Sequence, residues 1–123
     1  MAEYPVIITI DDEPDITEMI GMMLQAEGFR VIEAHSVFEG MKALAAEDPA
    51  LILLDIMMPG VDGMQFCKTL RDNVSTSDIP VVFVTALGGE ADRAAAAQAG
   101  AAGYLSKPFT TDQLVDVVRG VLG

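Results

Sequence analysis

Leu51-Ile52-Leu53-Leu54-Asp55-Ile56-Met57-Met58-Pro59-Gly60-Val61-Asp62-Gly63 decides the fold of this chain. Four consecutive aliphatic residues with no polar face suit a strand covered on both sides. The run stops on a carboxylate and enters a segment rich in proline and glycine, which reads as a loop. The same arrangement recurs along the chain. Val6-Ile7-Ile8-Thr9-Ile10 runs into Asp11 and Asp12, and Val81-Val82-Phe83-Val84 runs into Thr85. A shorter stretch, Tyr104-Leu105-Ser106, leads to Lys107 and Pro108.

Helical patterns separate these runs. Ile16, Met19, Ile20, Met23 and Leu24 repeat at helical spacing, with Pro14 suited to the first turn and Gly28 to the end. The methionines of that stripe read as core. Ser36 and Glu39 form a capping box for a second helix whose stripe is Val37, Met41, Leu44 and Ala45. A third helix is expected from Met64 to Arg71 and a fourth from Glu90 to Ala99. Thr110 and Gln113 cap a fifth, with Leu114, Val117, Val118, Val121 and Leu122 on its apolar face.

Alternating βα units with right-handed crossovers predict an α/β fold, a doubly wound five-stranded parallel sheet with helices on both faces. The mixed second strand, Val31-Ile32-Glu33-Ala34, and the short fifth read as edges. Those edges fit the order 2-1-3-4-5 of flavodoxin-like folds. Ligands of such sheets bind beyond the carboxyl ends, at the switch between strands one and three. Asp11, Asp12 and Asp55 stand at those two ends.

The chain has 123 residues, 51% of them hydrophobic, which predicts a single domain over residues 1–123. A net charge of −12 leaves no basic face for nucleic acid and disfavours anionic membranes. No apolar run approaches the length of a membrane span. The N-terminal Met1-Ala2-Glu3-Tyr4-Pro5 lacks the basic region of a signal peptide. The single Cys67 cannot form an internal disulfide, so a reducing, cytoplasmic setting is expected.

Each residue at the strand ends has an ordinary explanation by itself. Asp11 or Asp12 could cap a helix, Thr85 could be a β-branched strand residue, and Lys107 could be a surface lysine. Their joint placement favours chemistry. Three neighbouring carboxylates repel, and a hard divalent cation such as Mg2+ relieves that conflict with oxygen ligands. Asp55 could be a third ligand, a nucleophile toward a phosphoryl group, or both. Lys107 supplies a mobile positive charge and Thr85 a hydroxyl for phosphoryl oxygens. His35 follows an edge strand, away from the switch point, and reads as a partly exposed loop histidine.

Taken in order, Asp11-Asp12, Asp55 in the stretch Leu53 to Gly63, Thr85-Ala86 and Lys107-Pro108-Phe109 make a specific set. Over nearly its full length the chain resembles the receiver domain of two-component response regulators, the family that includes chemotaxis regulators. The resemblance implies that Asp55 accepts a phosphoryl group from a histidine kinase or histidine phosphotransfer protein. It implies Mg2+, with Mn2+ as an alternative ion, held by Asp11, Asp12, Asp55 and the backbone carbonyl of Met57. Asp12 is then the favoured direct ligand of the acidic pair. Lys107 would pair with the phosphoryl group beside a cis peptide to Pro108. Thr85 and Tyr104 would act as the switch, changing the surface of helix four, strand five and helix five.

The family's role is regulatory rather than that of an enzyme acting on an outside substrate, apart from its own phosphorylation and slow autodephosphorylation. It implies a downstream protein target or a covalently linked output domain, and allows a phosphorylation-dependent homodimer. The positions two after Asp55 and two after Thr85 are Met57 and Leu87, both apolar, which points to a long-lived phosphoryl group. Ala94-Ala95-Ala96-Ala97 in helix four is either helix economy or a flat surface for a partner. Two rivals fit less well. A haloacid-dehalogenase-like phosphatase needs Asp-x-Asp after strand one, where this chain has Asp11-Asp12-Glu13. A flavin-binding module needs a phosphate loop there, and acids would repel the phosphate.

Overall fold

The computed structural model describes residues 4–123; the signal-peptide reading at residues 1–3 lies outside them. Strands β1 (Val6–Ile10), β2 (Arg30–Ala34), β3 (Leu51–Leu54), β4 (Val81–Thr85) and β5 (Gly103–Ser106) form one parallel sheet. Their order is β2-β1-β3-β4-β5, as the apolar runs predict. Helices α1 (Pro14–Gln25), α2 (Val37–Ala46), α3 (Gly63–Asp72), α4 (Glu90–Gln98) and α5 (Thr111–Leu122) follow the strands in turn.

Two cores lie on opposite faces of the sheet because successive strand residues alternate sides. Ile8, Ile10, Ile52, Leu54, Val81 and Phe83 pack with Phe66, Cys67 and Leu70 of α3 and Ala96 of α4. Ile7, Leu51, Leu53, Val82 and Val84 pack with Ile20 and Leu24 of α1 and Leu114 and Val118 of α5. Met23 packs against the second core, and Met19 is half-buried. Apolar burial on both sides explains why β3 and β4 contain no exposed position.

One expectation changes for α2. Met41 is 46% exposed and Ala45 is exposed, whereas Gly40 is buried and Val37, Ala43 and Leu44 pack against the core. A Cβ on Gly40 would lie 2.6 Å from Ile10 Cδ1, so the helix turns its smallest residue toward β1. The α2 cap also differs from a full capping box. Ser36 Oγ accepts from Glu39 N, but the Glu39 carboxylate accepts from His35 N, one residue before the cap. The box on α5 is complete, with Thr110 and Gln113 serving each other.

The loop after β3 contains more order than expected. Met57–Met58 pairs antiparallel with Val61–Asp62, and Gly60 turns the ribbon at φ +70. Asp62 then caps α3 by accepting from Met64 N at 2.9 Å. Gly63 is required where this ribbon returns to the sheet. A Cβ there would lie 2.6 Å from the Asp55 carbonyl oxygen and 2.6 Å from Ile56 Cα.

Candidate functional site

Register carries the acids to one place. Asp11 N donates to Ala34 O and Asp55 N donates to Ile10 O, both at 3.0 Å, so the ladder extends one residue beyond β1 and β3. Ile10 faces Leu54 across that pair, which sets Asp11 beside Asp55. On the other side of the sheet Lys107 N donates to Thr85 O at 2.8 Å. Asp11, Asp12 and Asp55 each offer a carboxylate oxygen, and these oxygens lie within 4.8 Å of one another.

Lys107 reaches into the cluster. Its Nζ lies 2.7 Å from Asp11 Oδ2, 3.1 Å from Asp55 Oδ2 and 3.6 Å from Glu13 Oε1. Asp11 and Asp55 are buried, while Asp12 is exposed. The remaining oxygens of the buried pair are also satisfied: Asp11 Oδ1 accepts from Glu13 N at 3.0 Å and Asp55 Oδ1 from Met57 N at 3.1 Å. Burial pushes the Asp11 carboxyl above its ordinary value, against the opposing pull of Lys107 and the Glu13 amide, and the charge of Asp55 adds to the rise. Burial also acts to lower Lys107, but the hydrogen bonds and charges of Asp11 and Asp55 outweigh it and hold the ammonium above its usual range.

Thr85 and Tyr104 meet through Leu87 rather than at the carboxylates. Thr85 is fully buried, and its Oγ1 accepts from Leu87 N at 3.3 Å. The Tyr104 hydroxyl donates to Leu87 O. Arg93 of α4 covers the Tyr104 ring, with its guanidinium carbon 4.7 Å from the centroid, and donates to Ser106 Oγ at 3.2 Å. Burial raises the Tyr104 phenol above its ordinary value. The Lys107–Pro108 peptide is cis. Met57 is 61% exposed beside the site.

The structure therefore joins Asp11, Asp12, Asp55 and Lys107 directly, and sets Thr85 and Tyr104 in an adjoining linkage. Sequence reasoning missed Glu13 as a further acid on Lys107, although it continues the run Asp11-Asp12-Glu13. It also missed the Leu87 backbone, which carries no side-chain signal. The donor set is all oxygen and anionic, which fits a hard divalent cation.

Comparisons with known proteins bear on the family and the fold. The model of the response regulator receiver domain matches residues 7–119. Response regulator Rre1 of Synechocystis is 42% identical over 123 residues, covering 99% of this chain and 53% of that protein. The phosphate regulon transcriptional regulatory protein PhoB of Escherichia coli is 40% identical over 116 residues, covering 94% of this chain and 51% of PhoB. The chain thus spans about half the length of the curated relatives it matches. The crystal structure of the Vibrio cholerae chemotaxis protein CheY4 superposes with a TM-score of 0.90 at 24% identity, covering 97% of this chain and 99% of that one, a likeness of fold.

Proposed function

The chain belongs to the response regulator receiver domain family, and from that premise we propose that Asp55 is its phosphoryl acceptor. Receivers of this family are regulatory domains of two-component systems and generally bind Mg2+. The observation that carries the assignment is the apposition of Asp55, Asp11 and Lys107 at the sheet edge. Asp12 and Asp55, with the Met57 carbonyl, would hold the ion directly, and Asp11 would act through water because Lys107 holds its Oδ2 more closely, at 2.7 Å against 3.1 Å for Asp55 Oδ2. Such an ion would supply positive charge to offset the negative charge of phosphoryl oxygens beside Asp55.

A carboxylate oxygen of Asp55 bonds to phosphorus while the bond from phosphorus to the donor breaks. The electron pair leaves with the donor, a phosphohistidine of a kinase or phosphotransfer protein. Lys107 shifts its ammonium onto the new phosphoryl oxygens, and Met57 N keeps the Asp55 carboxyl oriented. The Thr85 hydroxyl accepts from Leu87 N and has its own hydrogen to give to the phosphoryl group. Movement of Thr85 releases the Leu87 amide and disturbs the carbonyl that anchors Tyr104. Arg93 on the Tyr104 ring passes that change to α4, so the α4-β5-α5 surface is the output face.

The whole of residues 1–123 acts as one receiver in this reading, and the reducing cytoplasm is its setting. Among the described residues no helix is long and apolar enough to cross a membrane. The output is a protein target or a linked domain. PhoB is by name a transcriptional regulator. With a net charge of −12, any DNA contact would fall to a linked domain rather than to this one. Phosphorylated copies could pair through the same face.

Incubation with Mg2+ and acetyl phosphate, followed by intact mass measurement, tests the assignment. One added phosphoryl group is expected, absent in Asp55→Asn and after chelation. An equal gain in Asp55→Asn would move the acceptor elsewhere.

A further inference from the structure

We propose that His35 is a positioning residue for the acidic pair at the end of β1, acting through Thr17. The inference rests on the proposed cation-assisted phosphoryl site. His35 touches neither carboxylate of that pair, and its role comes from how the segment 11–14 is tied down.

That segment joins β1 to α1 and carries two of the three site carboxylates. It is fastened to the last residue of β2 and to the turn after it, at one point each. At its start Asp11 N donates to Ala34 O at 3.0 Å. Just beyond its end the Thr17 hydroxyl lies 3.0 Å from His35 Nε2. Thr17 is fully buried, and its Oγ1 already donates to Pro14 O at 3.0 Å. A hydroxyl has one hydrogen to give, so its oxygen must accept from the imidazole. That assigns the Nε2–H form of the ring wherever Thr17 keeps its bond to Pro14.

The links run from His35 to Asp11 through two hydrogen bonds, the covalent Glu13–Pro14 backbone and a third hydrogen bond. His35 Nε2 donates to Thr17, Thr17 donates to the Pro14 carbonyl, and the neighbouring Glu13 amide donates to Asp11 Oδ1 at 3.0 Å. The backbone of His35 is held as well. Its backbone N donates to Glu39 Oε1 at 3.2 Å, and Nδ1 lies 3.7 Å from the same oxygen. Glu39 sits in the first turn of α2, whose Gly40 packs on Ile10. The turn bearing Asp11 and Asp12 is therefore set from α2 through the imidazole. Groups that orient ligands in this way commonly change metal affinity by 10–100-fold, and His35 lies further out than most.

Titration of Mn2+ against the whole chain, with unbound ion counted by its paramagnetic resonance signal, tests this without any phosphodonor. His35→Ala should weaken Mn2+ binding by about tenfold, the low end of that range. His35→Gln, which offers an amide N–H at similar reach, should recover most of it. Thr17→Val should weaken binding as much as His35→Ala, and the double variant no further, because both remove one link. Should His35→Ala fail to fold, His35→Gln and Thr17→Val still decide the matter. Wild-type affinity in His35→Ala and Thr17→Val, or additive losses in the double variant, would overturn the positioning role and leave the phosphoryl site standing. No Mn2+ binding by the wild-type chain would overturn both readings, and loss in Asp12→Ala alone would sustain only the site.

Discussion

Lys107 Nζ lies 3.1 Å from Asp55 Oδ2, two residues 52 positions apart in the chain that meet at one edge of the sheet. The same nitrogen holds Asp11 Oδ2 at 2.7 Å, so one ammonium stands between two buried carboxylates. Removing one partner of such a group costs about 3 kcal/mol. Lys107→Ala should therefore melt well below the wild type in chelator. Added Mg2+ should raise its melting temperature more than that of the wild type, because a bound cation replaces the missing charge. Equal increments in the two proteins would show that Lys107 does not carry the charge balance.

Asp11 makes a pH prediction. Its folded carboxyl titrates above the unfolded value of 3.8, chiefly through burial. The neutral form is thus favoured in the folded state. The associated stability is present below the unfolded value and is lost as pH rises through the folded one. Asp11→Asn cannot ionise, so in chelator its stability relative to wild type should grow from acid toward neutral pH. Denaturant melts across that window measure the difference, and a gap that narrows with rising pH would contradict the assignment.

Phosphoryl lifetime should depend on Met57 and Leu87, whose apolar side chains offer no hydrogen bond to an attacking water. Met57→Asn with Leu87→Gln should shorten the lifetime of the phosphorylated chain by about a hundredfold, the low end of the range for positioned proton transfer. Timed intact mass spectra after removal of acetyl phosphate give the rate. An unchanged decay would assign the lifetime to other groups.

Two glycines should respond differently to alanine. At Gly63 the new Cβ meets backbone atoms of Asp55 and Ile56 at 2.6 Å, which cannot swing away. At Gly40 it meets the tip of Ile10, a side chain that can rotate. Gly63→Ala should cost about 1–3 kcal/mol or more, and Gly40→Ala less. Gly63→Ala should also slow phosphorylation, since the displaced backbone carries Asp55. Urea melts rank the two, and a larger loss at Gly40 would refute the argument.

Cys67 should resist alkylation in the folded chain. Its thiol is fully buried, donates to Ala99 O at 3.4 Å, and is pushed up by burial despite the nearby Arg71 charge. Iodoacetamide at neutral pH should modify it only after unfolding. Prompt modification of the native protein would mean that the α3 face opens readily.

Sequence by itself determined the sheet order and the end of the sheet at which the acids gather. Continuous runs such as Leu51–Leu54 demand cover on both faces, mixed Val31–Ala34 marks an edge, and each acid directly follows its strand. These signals are local, because strand burial and strand ends are written in neighbouring residues. The tertiary structure alone decided which residues touch. Lys107 and Asp11 are 96 positions apart, and only parallel register brings them to 2.7 Å. The face that α2 buries depended on Gly40 fitting against Ile10, which a pattern of apolar letters credits to Met41 instead. Leu87 joins Thr85 to Tyr104 through backbone groups that every residue carries. Thr17 meets His35 only because α1 and the turn after β2 pack together. Periodicity reports the environment of each element, and contact between elements is settled by register and close packing.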